Sequence, residues 1–264
     1  MIRLDKYLAD MKVGTRSEVK EYIRKKRVIV DGEIVNTPET KIDTETQIVT
    51  IDGQPVNYVS QEYYMLNKPS GVLTATMDKK SETVLDLIDS ARKDLFPVGR
   101  LDKDTEGLLL ITNDGRLAHE LLSPKKHVDK VYYARVRGSI GEKEINAFAN
   151  GLTVDEQLTA MPAKLEVLRV GKAAEIKMEA DTADICNGEE GLDSIISEVL
   201  VTVHEGKFHQ VKRMFLAVGS EVLYLKRLSM GTLRLDENLA PGEYRALTEA
   251  ELDELFGLAG VTIG

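Results

Sequence analysis

Gly99-Arg100-Leu101-Asp102-Lys103-Asp104-Thr105-Glu106-Gly107-Leu108-Leu109-Leu110-Ile111-Thr112-Asn113-Asp114-Gly115 runs an acid- and glycine-rich loop into an apolar strand and stops at a second turn. Four consecutive large aliphatics between turn residues are too few for a helix, so Leu108–Thr112 reads as a buried strand. Outward from it, strands are predicted at Tyr63–Leu66, Val131–Arg137, Leu165–Val170, Glu175–Met178, Val199–His204 and Glu221–Arg227. Helices are predicted over Glu142–Ala149, closed by Asn150-Gly151, and over Phe208–Ala217, stopped near Gly219. A further capping box stands at Thr248-Glu-Ala-Glu251. The strands are not regularly separated by crossover helices, which excludes a doubly wound parallel sheet and predicts an α+β fold. On residue types alone the loop is either a solvated turn or the seat of a carboxylate pair of glycosidase type, Asp102 with Asp104 or Glu106.

The chain's 264 residues lean towards two domains. It is 42% hydrophobic and 30% charged, which suits a folded core and excludes a disordered chain. No apolar run approaches the ~20 residues of a membrane span, and charges in Met1–Lys6 are unlike a signal peptide. Cys186 is the single cysteine, excluding an intrachain disulfide and a Cys-rich zinc site. A cytoplasmic protein with no membrane partner is expected. The net charge of −9 is local in origin: residues 179–198 hold seven acids and no base, and residues 236–255 hold seven acids and one Arg. Residues 3–27 instead hold nine bases against four acids, a patch able to steer a polyanion.

That N-terminal stretch places Leu4, Tyr7, Leu8 and Met11 on one helical stripe, and Thr15-Arg-Ser-Glu18 reads as a capping box. The following helix carries Arg16, Lys20 and Arg24 at a four-residue spacing, then Lys25, Lys26 and Arg27. Val28–Val35, turning at Asp31-Gly32, is a hairpin signal, and Asp52-Gly53 a second turn. Two short helices, a basic face and a Gly-turned hairpin resemble the small S-four-type RNA-binding domain over about residues 2–55. In that domain Arg3, Arg16, Lys20, Arg24 and Arg27 are expected to meet RNA phosphates.

Gly99-Arg-Leu-Asp102 followed by Thr105-Glu-Gly107-Leu-Leu-Leu closely resembles the catalytic motif of the pseudouridine synthases. Four more stretches resemble the family in order: Leu66-Asn-Lys-Pro69-Ser-Gly71; Ser123-Pro124 with Lys130-Val-Tyr132; Glu205-Gly-Lys-Phe-His209-Gln-Val-Lys212-Arg213-Met214-Phe; and Leu239-Ala-Pro-Gly-Glu-Tyr-Arg245. The layout is most similar to the small-subunit ribosomal pseudouridine synthase A subfamily, whose members modify one uridine of 16S rRNA. The resemblance implies an S-four-type domain at 1–56, a linker at 57–61, and a catalytic domain at 62–264 with a mixed, largely antiparallel sheet.

It also implies an isomerisation that needs no cofactor and no metal: uracil leaves the ribose, rotates and rejoins through C5. Asp102 is then the essential carboxylate, Tyr132 stacks on the uracil near C5, and Lys212 stands as the cation against Asp102. Lys is a point charge, so the bidentate clamp of an Arg is lost there; the adjacent Arg213 is expected to bind RNA and could share or take over the role. Arg100 is expected to hold the stack open once the nucleotide is flipped. Lys68 and Lys130 read as backbone or packing contacts, and His209 as a helix hydrogen-bonder. Without the resemblance, Tyr132 is an ordinary strand tyrosine and Lys212-Arg213 a basic helix face. The acidic insertion between Lys177 and Val199 takes no family role and reads as a solvated loop away from RNA. The expected substrate is 16S rRNA or a small-subunit assembly intermediate, acted on by a monomer. The alternatives are a non-catalytic ribosome-associated RNA-binding protein or a synthase acting on 23S rRNA.

Overall fold

A computed structural model describes residues 1–90, 92–156, 158–176 and 194–261. The chain divides into two compact units, Met1–Glu62 with Ile88–Phe96, and Tyr63–Leu87 with Pro97–Gly264.

In the first unit, helices α1 (Leu4–Asp10) and α2 (Arg16–Arg24) pack through the predicted stripe: Leu4, Tyr7, Leu8 and Met11 are all buried, as are Val19 and Ile23. Thr15 caps α2 as expected, its Oγ1 accepting the Glu18 N–H while Glu18 accepts the Thr15 N–H at 2.7 Å. The hairpin of β1 (Val28–Val30) and β2 (Glu33–Val35) turns on Asp31 and Gly32, at φ 50° and 85°. Both values are positive, as a two-residue type I′ turn requires. Strand β3 (Val49–Ile51) pairs on the other side of β1, and β4 (Gln54–Pro55) follows it through Asp52-Gly53.

Ile88–Phe96, which the sequence reading counted with the catalytic domain, packs within this first unit. Its anchor is Arg92, only 3% exposed. The guanidinium donates to Asp94 at 2.7 and 2.6 Å and to the Val59 carbonyl, lies 3.4 Å from Asp10, and sits over the Tyr58 ring. A buried Arg is tolerated only when paired in this way.

The second unit is built on β5 (Tyr63–Lys68), β6 (Glu106–Thr112), β7 (Lys130–Arg137), β8 (Lys164–Lys172), β9 (Ile195–Val203), β10 (Val222–Met230) and β11 (Tyr244–Ala246). They lie side by side in the order β8–β9–β7–β10–β6–β5–β11. The β10–β6 pair is parallel, and the other neighbours on this path are antiparallel. The mixed, largely antiparallel sheet expected from the sequence is the one observed. Strand β6 has neighbours on both edges and is buried from Gly107 to Thr112, which explains its apolar run. Gly107 has φ 96°, and a Cβ there would lie 2.3 Å from the Arg227 carbonyl oxygen, so the close approach of β6 and β10 depends on glycine.

Helices α3 (Gly115–Leu122), α4 (Glu142–Asn150), α5 (Gln210–Ala217) and α6 (Glu249–Ala259) complete the unit. The Thr248–Glu251 capping box is present. Helix α5 begins two residues later than the periodicity predicts, because His209 takes a left-handed backbone, φ 49°. Glu175 and Ile176, predicted as strand, instead form part of the turn after β8, and the rest of that prediction lies outside the described residues. Most of the acidic stretch 179–198 also lies outside them. Its last residues are not loop but the start of β9, where Glu198 pairs with Arg135. Among the described residues, no helix is long and apolar enough to cross a membrane.

Candidate active site

The loop joining Gly99 to β6 is held from below by Lys68, the last residue of β5. Its side chain is fully buried, and its Nζ donates to the carbonyls of Pro69, Lys103 and Thr105 at 2.9, 3.0 and 2.9 Å. An ammonium has three protons, and here three carbonyls take them. Burial pushes the Lys68 pKa down to about 8, against the pull of Asp104, Glu106 and Asp102. Thr74 Oγ1 ties the loop from another side, donating to the Leu101 carbonyl at 2.7 Å. The Thr105 N–H bonds the Asp102 carbonyl at 3.1 Å, closing the turn. Lys130 behaves similarly: its Nζ donates to the Val128 carbonyl, and burial together with the charge of Arg227 lowers its pKa to about 8. Both lysines are the backbone contacts the sequence suggested.

Asp102 stands on this loop, one quarter exposed, facing α5. His209 Nε2 lies 3.5 Å from its Oδ1, and Lys212 Nζ lies 3.7 Å from its Oδ2. Lys212 bonds far more tightly to Asp104, 2.6 Å from both carboxylate oxygens. Burial opposes ionisation of Asp104, and the Lys212 ammonium outweighs it, holding the Asp104 carboxyl below its usual range. The expected cation is therefore at the site but is shared between two carboxylates. Arg213, expected to share that duty, turns away: its guanidinium bonds Asp155 and the Phe208 carbonyl. Successive residues on a helix point about 100° apart, so Lys212 and Arg213 cannot both face Asp102.

A small cavity of about 60 Å³ is lined by Asp102, Tyr132, Lys212, Arg100, Thr105 and His209 among others. It shares Arg100, Asp102, Lys207 and His209 with a wider cleft of about 660 Å³. Tyr132 reaches it from β7, where it pairs with Val201 and Arg227 across the neighbouring strands. Arg100 is exposed at the rim. The structure thus brings Arg100, Asp102, Tyr132 and Lys212 together from three segments, the outer two more than 100 residues apart in sequence. The basic residues of the first unit form their own set. Arg16, Lys20 and Arg24 share a face of α2, with Lys20 3.9 Å from Asp5. Arg3 is engaged with Asp5 and Glu39, and Arg27 with Asp52 and the face of Tyr22.

Sequence reasoning gave four neighbours no role at the site, although three of them, Thr105, Glu205 and His209, stand in the motifs it quoted. His209, read as a helix hydrogen-bonder, makes no capping bond and sits beside Asp102. Glu205 accepts from the Met161 N–H and from Gln210 Nε2 at 2.9 and 2.8 Å and pairs with Lys207, fixing the wall before α5. Thr105 is 2% exposed at the cavity wall, and its hydroxyl has no hydrogen-bond partner. Arg227 is buried, donates from Nε to the Leu108 carbonyl at 2.7 Å, and has an Nη2 without a partner. The motifs contain Thr105, Glu205 and His209 but do not give their contacts, and Arg227 depends on a strand far along the chain. No group of three or more His, Cys, Asp or Glu among the described residues is placed to hold a metal ion.

Residues 62–217 match the family model described as RNA pseudouridylate synthase, and residues 2–48 match that of the S4 domain. The chain is 46% identical to an uncharacterised RNA pseudouridine synthase of Bacillus subtilis, over 95% of this chain and 97% of that one. It is 37% identical to the ribosomal small subunit pseudouridine synthase A of Yersinia pestis, again over 95% of this chain and 97% of the relative. A crystal structure of a pseudouridylate synthase superposes with a TM-score of 0.61 at 34% identity, covering 97% of this chain and all of the other.

Proposed function

The chain belongs to the RNA pseudouridylate synthase family and is an enzyme of that class, and from this we propose that it isomerises a specific uridine of 16S ribosomal RNA to pseudouridine. The observation that supports the reading most is the meeting of Asp102, Tyr132 and Lys212 at one cavity bordered by Arg100. In the proposed reaction the bond from ribose C1′ to uracil N1 breaks, the base rotates, and C1′ bonds to C5. The C5 proton is lost and N1 gains one, so no net redox change occurs. Asp102 supplies the carboxylate that acts on the ribose or the base. Tyr132 offers its ring to the uracil face and its hydroxyl near C5. Lys212 and His209, 3.7 and 3.5 Å from its oxygens, keep the carboxylate oriented. Arg100, exposed at the rim, fills the gap left by the extruded nucleotide.

The specific 16S target is supported by similarity to small-subunit synthases, and RNA binding by the basic α2 face. Free 16S rRNA or a small-subunit assembly intermediate is the proposed partner, with the protein acting as a cytoplasmic monomer. Uridine labelled with tritium at C5 tests the reading directly, because the reaction releases that hydrogen. Tritium release from a 16S transcript and none from a 23S transcript is expected. Release from 23S alone would move the target, and release from neither transcript nor a small-subunit assembly intermediate would support a binding protein without activity.

The α2 face carries a second expectation. Replacing Arg16, Lys20 and Arg24 together with Gln in the full chain takes up to three cations away from RNA phosphates without touching the buried side of the helix. The slope of log affinity against log salt is expected to flatten by about 2 units, since each phosphate neutralised by a cation contributes about 0.7–0.9 to it. Filter binding across a salt series measures it, and an unchanged slope would remove α2 from the RNA interface.

A further inference from the structure

Of the nine tyrosines and five phenylalanines, all within the described residues, Phe208 alone is exposed, at 74%. It stands at the rim of the 660 Å³ cleft beside Asp102, together with Arg100, Lys103 and Lys207. The ring is not on a loose tip. It stacks on His209 with centroids 3.8 Å apart and planes 18° from parallel, and the His209 ring is itself 3.5 Å from Asp102. Arg213 bonds the Phe208 carbonyl at 3.3 Å, and the Lys207 N–H bonds Gln210 Oε1 at 3.0 Å. One face of the ring is thus taken by His209, while most of the side chain is left to solvent in a fixed place next to cationic side chains.

We propose that Phe208, backed by His209, is a stacking platform for an unpaired nucleobase flanking the target uridine. The inference rests on the RNA pseudouridine synthase reading for the identity of the target, and on the exposed ring for the platform. Extruding a base from structured RNA costs a few kcal/mol and deprives its neighbours of a stacking partner. A flat, pre-positioned ring at the mouth of the cavity restores one such stack, and it is sequence-tolerant because every base has a π-face. The ordering cost is already met within the protein, since the loop is held by the contacts above. Lys103 and Lys207 around the same cleft suit the phosphates of a strand entering it.

The protein has no tryptophan, so Phe208→Trp introduces a single fluorophore at the platform. Its emission is expected to be quenched on saturation with a 16S transcript and barely affected by a fully paired RNA duplex. Phe208→Leu keeps apolar bulk but no flat face. It is expected to raise KM by about 5- to 150-fold, the equivalent of one stacked base, with kcat within about twofold because the contact serves ground and transition states alike. An unchanged melting temperature separates this from a folding defect, as the side chain is mostly in solvent. A tryptophan left unquenched at RNA concentrations that saturate filter retention overturns the proposal, and so does a wild-type KM for Phe208→Leu. Quenching in a protein whose wild type forms no pseudouridine would sink the synthase reading and keep the platform. Pseudouridine formation with an unquenched tryptophan would do the reverse.

Discussion

Asp102→Asn is expected to abolish pseudouridine formation while leaving the fold and RNA binding intact. The amide matches the carboxylate in size but is neither a nucleophile nor a base at neutral pH, so a loss of about 10²–10⁴-fold or more is expected. Folding survives because the Asp102 side chain is partly in water and its cationic neighbour, Lys212, keeps its tighter partner Asp104. Binding of RNA is expected to hold or strengthen, since a negative charge facing phosphates is removed. Asp104→Asn is the matched control two residues away. It frees Lys212 to close the 3.7 Å gap to Asp102, and its cost is expected to stay within about tenfold. Tritium release with both variants, alongside filter binding, measures the difference. Near wild-type turnover by Asp102→Asn would remove Asp102 from the chemistry, and equal losses in both would point to a two-carboxylate mechanism.

Lys68→Met is expected to carry a large stability cost. It keeps the length of the side chain but strips the donors from three carbonyls, two of them in the loop that presents Asp102. Leaving buried acceptors unmet costs about 1–3 kcal/mol for each, so a loss of about 3 kcal/mol or more is expected in denaturant titrations. Activity should fall in the fraction that remains folded, because the Asp102 loop is no longer fixed. Lys68 also gives the wild type a pH signature. In the folded chain it releases its proton near pH 8, whereas the unfolded chain keeps one up to about 10.5. Between those values the unfolded state binds more protons, so this group's contribution to stability rises with pH. The rise should shrink in Lys68→Met, where only Lys130 of the pair remains. A variant as stable and as active as wild type, with the same pH profile, would show that the lysine does not hold the loop.

Local chemistry made much of the fold legible. The Asp31-Gly32 and Asp52-Gly53 turns, the Thr15 and Thr248 capping boxes and the apolar β6 run each encode a backbone choice within a few residues, and each is present as read. The wider assembly was less legible because it is set by partners far along the chain. The motif brought Lys212 to the site, but its preference for Asp104 over Asp102 depends on where α5 ends up against the loop. His209 makes no side-chain cap bond to α5 and lies 3.5 Å from Asp102, a placement set by its left-handed backbone and not announced by residue type. Arg92 shows the same limit: nothing around residue 92 announces a buried guanidinium shared by Asp94, Asp10 and the Val59 carbonyl. Arg227 is hidden for a related reason, since its place beside β6 depends on Gly107, 120 residues earlier.

The measurement closest to the central claim is a pseudouridine map of ribosomal RNA from cells lacking this protein, complemented with either the wild-type gene or Asp102→Asn. One pseudouridine of 16S rRNA is expected to vanish in the deletion, return with the wild type, and stay absent with Asp102→Asn expressed at the same level. An unaltered 16S map in the deletion strain, or restoration of the modification by Asp102→Asn, would contradict the account.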